Sequence, residues 1–183
     1  MRRAVFIDRD GVVNRAILRE GKPYPPASLS DLRVLPGVRE ACRKLREAGF
    51  ALILITNQPD IARGAVSAEQ VREIHSRLQR FLQLDDIRVC PHDDRDRCHC
   101  RKPKPGLLLE AARTWNNDLR SSFMIGDRWR DVEAGHRAGC ATIFVDYNYR
   151  ERRPDGPLLR VTSLAEAANW ILRTVQGGLL RYA

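Results

Sequence analysis

The sequence predicts an α/β fold in which a five-stranded parallel sheet is doubly wound, with helices on both faces. Three observations carry that expectation. Short apolar runs rich in β-branched residues alternate with segments of helical period along the 183 residues. Four of the runs stop abruptly at a polar group, at Asp8, Thr56, Asp127 and Asp146. No repeat or low-complexity tract interrupts the alternation, and the length suits a single domain over 1–183 with no separate cap domain. Parallel strands joined by right-handed crossovers bring their carboxyl ends to one edge, where open α/β sheets bind ligands.

The first strand is Ala4-Val5-Phe6-Ile7, ending in Asp8-Arg9-Asp10-Gly11. Residues 15–35 are expected to be irregular, because Gly21, Pro23, Pro25 and Pro26 forbid a long helix; a loop of that length leaving the strand end should border the site. Pro36 opens a helix with Val38, Ala41, Cys42, Leu45 and Ala48 at helical spacing, stopped by Gly49. The second strand, Ala51–Ile55, ends in Thr56-Asn57-Gln58. Ser67 and Gln70 form a capping box for a helix to Leu82. Ile87–Val89 is a short third strand leading into a cysteine cluster. A helix over 105–116, a strand over 122–125 ending at Gly126-Asp127, a helix to Ala138 and a fifth strand over 142–145 follow. Ser163, with Glu166 at the capping-box position, opens the last helix, to Val175.

Composition excludes several classes. With 43% hydrophobic and 30% charged residues, and no apolar run near the roughly 18 residues of a membrane span, the chain is expected to be cytoplasmic and without a membrane partner. The strand begins too close to Met1 for a signal peptide. A net charge of +9 favours an anionic partner. The basic residues are spread along the chain, without aromatic interleaving or a block of five, which leaves a nucleic-acid groove unsupported. A monomer acting on a small phosphorylated metabolite is the expectation.

Asp8 and Asp10 lie two apart at a strand end, so both side chains should share one face. Like charges that close repel unless a cation lies between them or one binds a proton. The shared edge adds the hydroxyl of Thr56, Lys102 at a helix entrance, and Asp127 with Asp131. Carboxylate oxygens suit Mg²⁺, and hydroxyl, lysine and helix N-terminus suit a phosphoryl group. Separately, Cys90, His92, Cys98 and Cys100 offer three thiolates and an imidazole, the complement of a structural Zn²⁺ site; His99 is an alternative to His92. Cys42 and Cys140, alone among apolar neighbours, are expected in the core.

The order Asp-x-Asp-Gly, strand-Thr, Lys-Pro and Gly-Asp-x-x-x-Asp resembles the haloacid dehalogenase superfamily of phosphohydrolases over residues 4–146. Asp-Arg-Asp-Gly with Thr-Asn-Gln, Ile-Ala-Arg-Gly, Cys-Pro-His and Cys-x-Cys-Arg-Lys-Pro is more narrowly similar to heptose-bisphosphate phosphatases and their histidinol-phosphatase relatives. The resemblance implies Asp8 as nucleophile, forming an aspartyl-phosphate, and Asp10 as general acid and then base. It implies Mg²⁺ on Asp8, the carbonyl of Asp10 and Asp127; phosphoryl oxygens on Thr56 and Lys102; and substrate contacts from Asn57, Gln58, Arg63 and Arg101. Asp131 would orient a neighbour. It also implies a zinc loop over 90–100, and a substrate such as D-glycero-D-manno-heptose 1,7-bisphosphate, losing its 7-phosphate in lipopolysaccharide-precursor synthesis.

Three features depart from that pattern: Pro59-Asp60 stands where Ser-Gly commonly follows Thr-Asn-Gln, the zinc loop is short, and the loop after Asn14 is longer and proline-rich. Histidinol phosphate or another small phosphate is the alternative substrate. A polynucleotide-end phosphatase and a non-catalytic nucleic-acid-binding zinc module are the readings from other classes. A polyanion binder would gain by losing acids from its centre, whereas Asp8, Asp10 and Asp127 are all present.

Overall fold

The computed structural model describes residues 1–177, and the last six positions of the expected 1–183 domain lie outside the described residues. In chain order the elements are β1 (Ala4–Ile7), β2 (Ile17–Arg19), β3 (Lys22–Tyr24), α1 (Val38–Glu47), β4 (Ala51–Asn57), α2 (Ala68–Leu82) and β5 (Asp86–Cys90). Then come α3 (Gly106–Trp115), β6 (Phe123–Gly126), α4 (Trp129–Ala138), β7 (Ala141–Val145), β8 (Leu159–Val161) and α5 (Leu164–Gln176).

The main sheet runs β5-β4-β1-β6-β7-β8, with every pairing parallel. Strand periodicity divides the core in two. Val5, Ile7, Leu52 and Leu54 face α1, α2 and α5, whereas Ala4, Phe6, Ile53 and Ile55 face α3 and α4. Both faces of β1 and β4 are therefore covered, which explains why these strands are unbroken apolar runs. β1 sits at the middle of the sheet between β4 and β6, so the group following it is flanked by the ends of both neighbours. No helix among the described residues is long and apolar enough to cross a membrane.

The expected five strands become six. β8 is a three-residue edge strand with one buried side chain, Val161, too short to show a period in sequence. The loop over 15–35 is not wholly irregular either, because β2 and β3 form a separate antiparallel hairpin. Its two-residue turn, Glu20-Gly21, has φ of 52° and 77°, the left-handed pair that matches the twist of a hairpin. The loop is clamped at its base, where Arg15 N–H donates to Arg33 O at 2.8 Å.

Helix boundaries follow their caps. α1 begins after Gly37, held at φ 75°, two residues later than Pro36. The Ser67–Gln70 capping box forms in both directions. At α5 only half of the expected box forms: Ser163 Oγ accepts from Glu166 N–H, but the Glu166 carboxylate accepts from Thr162 N–H instead.

Candidate active site

The ends of β1, β4 and β6 and the entrance to α3 converge on one buried ammonium. Lys102, two per cent exposed, donates to an oxygen of Asp8, to Asp131 Oδ1 at 2.6 Å and to the carbonyl of Ile55 at 2.8 Å. Its backbone is pinned from β4: Lys102 N–H donates to Asn57 Oδ1, and Asn57 Nδ2 donates to Lys102 O, both at 3.1 Å. Burial alone would favour the neutral amine, but the charges of Asp131 and Asp8 outweigh it and hold Lys102 protonated above the usual lysine range.

Against this one cation stand three carboxylates. Oxygens of Asp8, Asp127 and Asp131 all lie within 4.8 Å of one another, and all three residues are buried. Burial pushes the Asp8 carboxyl up to about 7; Lys102 opposes the rise and the charges of Asp131 and Asp10 add to it. Burial, then the charges of Asp8 and Asp131, hold Asp127 well above the usual range as well. Among the described residues neither oxygen of Asp127 accepts a well-formed hydrogen bond; the Tyr149 hydroxyl beside it opposes only part of the rise. The group carries an excess of two negative charges when ionised, with one carboxylate left without a paired cation, and an oxygen-rich donor set of this kind fits a hard divalent cation. The backbone approaches closely here: a Cβ on Gly11, whose φ is 93°, would stand 1.9 Å from Asp127 Oδ2. Gly126 is equally constrained, since its Cβ would meet that of Asp131 at 2.1 Å. Asp131 Oδ2 also accepts from Arg128 N–H at 3.0 Å.

Asp10 lies beside this group and opens onto the cleft. Its carboxylate accepts from Asn14 Nδ2 at 3.0 Å, from Gln58 Nε2 at 2.8 Å and from the buried guanidinium of Arg9. Gln58 also donates to Thr56 Oγ1 at 2.8 Å. Of the polar groups at the end of β4, Asn57 lines the cleft, whereas Thr56 and the following Gln58 are buried behind it and bonded to each other.

The cleft has a volume of about 240 Å³, with Asp8, Asp10, Lys102 and Asp131 among the residues lining it. Five further cations line it: Lys22, Arg63, Arg101, Arg128 and Arg130. Arg63 bridges Asp60 and Asp93, Arg128 pairs with Glu151, and Arg101 and Arg130 share the one carboxylate of Asp94. Among the described residues Lys22 has no ion pair. Sequence reasoning did not single out Lys22, Asp94 or Arg130. The turn residues Glu20-Gly21 could have exposed the hairpin carrying Lys22, but the meeting of Asp94 with Arg130 spans thirty-six positions and leaves no local signal.

The four predicted sulfur and nitrogen ligands also converge. Cys100 Sγ lies 3.2 Å from Cys90 Sγ and 3.4 Å from Cys98 Sγ, and His92 Nδ1 is 3.3 Å from Cys100 and 3.7 Å from Cys90. A tetrahedral ion with metal–sulfur bonds of about 2.3 Å has ligand–ligand edges of about 3.8 Å, close to this packing. All the cysteines are free thiols. His99 points elsewhere, its Nε2 lying 2.9 Å from Glu110. The loop carrying these ligands also carries Asp93 and Asp94, so it holds Arg63, Arg101 and Arg130 in place.

Comparison with known proteins identifies this architecture. A family model described as HAD-hydrolase-like matches residues 99–167. The D-glycero-beta-D-manno-heptose-1,7-bisphosphate 7-phosphatase of Yersinia pestis is 36% identical over 94% of this chain and 90% of its own length. The protein of the same name from Escherichia coli K12 is 34% identical over 94% and 89%. Among solved structures, the D,D-heptose 1,7-bisphosphate phosphatase of B. bronchiseptica, complexed with magnesium and phosphate, superposes with a TM-score of 0.82 at 32% identity, covering 93% of this chain and 98% of its own.

Proposed function

Because the chain belongs to the heptose-1,7-bisphosphate 7-phosphatase family of HAD-like hydrolases, we propose that it hydrolyses a phosphomonoester of D-glycero-D-manno-heptose 1,7-bisphosphate, releasing the 7-phosphate. The observation that carries the reading is the buried Lys102 between Asp8 and Asp131, beside an Asp127 without a paired cation among the described residues, at the floor of a cationic cleft. In this reading Asp8 attacks phosphorus, and the bond to the ester oxygen breaks. Asp10 gives that oxygen its proton, so the sugar leaves as an alcohol and phosphate stays on Asp8. Asp10 then takes a proton from water as the water oxygen attacks phosphorus, and the Asp8 carboxylate is released. Lys102 donates to phosphoryl oxygens and offsets the charge that develops in transfer; the Thr56 hydroxyl, behind the cleft, accepts from Gln58 Nε2 and keeps its own hydrogen to donate to the same group. Magnesium, held by Asp8, the backbone carbonyl of Asp10 and Asp127, supplies further positive charge at the transferred group when bound.

A sugar bisphosphate carries a second anion, and the cleft has positive charge to meet it. Arg101 and Arg130 compete for a single carboxylate, and Lys22 on the hairpin has no ion pair among the described residues. Arg101 follows Cys100 directly, and its Nη1 also reaches His92 O at 3.3 Å. Zinc on Cys90, His92, Cys98 and Cys100 would fill all four positions with protein ligands, leaving no open position for chemistry. Its role in this reading is to hold the loop that presents Arg63, Arg101 and Lys102.

Three outcomes are expected. Asp8→Asn should abolish turnover with the fold intact; turnover within tenfold of wild type would remove Asp8 from the nucleophile role. Protein purified without chelator should contain one zinc per chain by elemental analysis, and Cys98→Ser should melt at a lower temperature; zinc-free protein, or an unchanged melting temperature, would end the zinc assignment. Arg101→Lys, assayed on the bisphosphate and on a minimal aryl phosphate, should lose roughly 1.5–3 kcal/mol in kcat/KM on the bisphosphate alone, the scale of a charge-assisted hydrogen bond. Equal losses on both substrates would take Arg101 away from recognition of the second phosphate.

A further inference from the structure

Arg9 separates the two site carboxylates in sequence, yet it is not among the residues lining the cleft. Its side chain is fully buried and runs toward α2. A guanidinium cannot shed its charge, so a buried one must be met by acceptors. Two groups meet it. Arg9 Nε donates to both oxygens of Asp10, at 3.0 and 3.1 Å; Nη2 lies 3.0 Å from Asp10 Oδ2 as an ion pair, but its N–H groups are not aimed at an acceptor among the described residues. On the far side, Nη1 lies 3.0 Å from Nε2 of His75, a buried residue of α2. Arginine has no acceptor, so His75 Nε2 accepts and the imidazole is the neutral Nδ1–H tautomer. Burial, with the charge of Arg9 beside it, pushes the His75 imidazole down to about 3, consistent with a ring that is neutral at working pH.

We propose that His75, acting through Arg9, is a positioning residue for the acid–base carboxylate Asp10. This rests on the role of Asp10 given above. Arg9 alone among the donors to Asp10 touches both of its oxygens, so the orientation of the guanidinium fixes the plane of the carboxylate. The guanidinium is held in turn by one acceptor on α2, His75, which lies sixty-six positions from Arg9. A side chain without an acceptor at position 75 leaves Nη1 unmet in a dry site, and Arg9 satisfies it only by turning away from Asp10. A proton donor that is displaced in this way fails in both halves of the reaction.

The two halves respond differently to the leaving group, and this supplies the test. An alkyl phosphate needs the proton of Asp10 to leave, whereas 4-nitrophenolate leaves without one; both depend on Asp10 to activate water afterwards. His75→Leu should therefore lower kcat on the sugar phosphate roughly ten- to hundredfold, a part of the range that general acid–base catalysis spans, with KM and magnesium dependence within about twofold. With 4-nitrophenyl phosphate it should give a rapid burst approaching one nitrophenolate per chain, followed by slow turnover. His75→Gln, which keeps an acceptor, should restore most of the rate. Where His75→Leu does not fold, His75→Phe is measured in its place. Loss of burst amplitude in step with loss of turnover, failure of His75→Gln to restore the rate in a folded protein, or unchanged kcat in His75→Leu would each overturn the proposal. Asp10→Asn, run alongside, separates the two levels: if it turns over normally the role of Asp10 itself is wrong, and if it is inactive while His75→Leu is normal only the positioning role fails.

Discussion

One lysine facing three buried carboxylates is the interaction on which the rest of this structure depends. Lys102 pairs with Asp8 and Asp131, and among the described residues Asp127 has no cation and only the weak contact of the Tyr149 hydroxyl. Removing such charges from water costs several kcal/mol per ion unless partners restore it. The fold supplies only part of that compensation, and burial accordingly raises the carboxyls of Asp8 and Asp127. A site that is electrostatically incomplete in this sense is suited to receive a divalent cation and a phosphate together. In the proposed function the cation offsets the carboxylates, while Lys102 and the cleft arginines meet the phosphate.

The sheet makes this arrangement possible because β1 is central. Its end lies between the ends of β4 and β6, so Asp8, Thr56 and Asp127 meet without any long loop having to bring them together. Glycines at 11 and 126 let the backbone pass within a side chain's thickness of Asp127 and Asp131. The substrate-facing half is built differently. Arg63, Arg101 and Arg130 sit on loops or a helix entrance, and each is anchored by Asp93 or Asp94 in the cysteine-bearing loop. In the proposed function the cluster of Cys90, His92, Cys98 and Cys100 thus stands behind recognition in the way that the sheet stands behind chemistry.

Much of this was legible in the sequence for a physical reason. Buried parallel strands are continuous apolar runs, and a carboxylate that ends one announces itself; Asp8 and Asp127 are of that kind, Lys102 stands at the entrance to α3, and the structure brings the three together. The metal-ligand spacing from Cys90 to Cys100 is local and was equally visible. What escaped is either too short to carry a period, as with β8, or is made by distant residues. The Arg9–His75 contact and the sharing of Asp94 by Arg101 and Arg130 leave no trace in spacing. Asn57 and Gln58 were expected at the substrate. Both side-chain amides have protein partners, Lys102 for Asn57 and Asp10 with Thr56 for Gln58; Gln58 is buried and must be satisfied locally, whereas the half-buried Asn57 still lines the cleft.

The protons that magnesium displaces report most directly on these buried carboxylates. Calorimetric titration of Mg²⁺ into metal-free protein, repeated in buffers of different ionisation heat, counts them. Because burial places the Asp8 carboxyl near 7, binding at pH 6 should release a large part of a proton or more, and the release should shrink as pH rises through 7 while affinity increases. Asp127→Asn should weaken binding at least tenfold. Binding that releases no proton at pH 6, and that keeps its affinity in Asp127→Asn, would contradict the claim that these buried carboxylates are held for a cation.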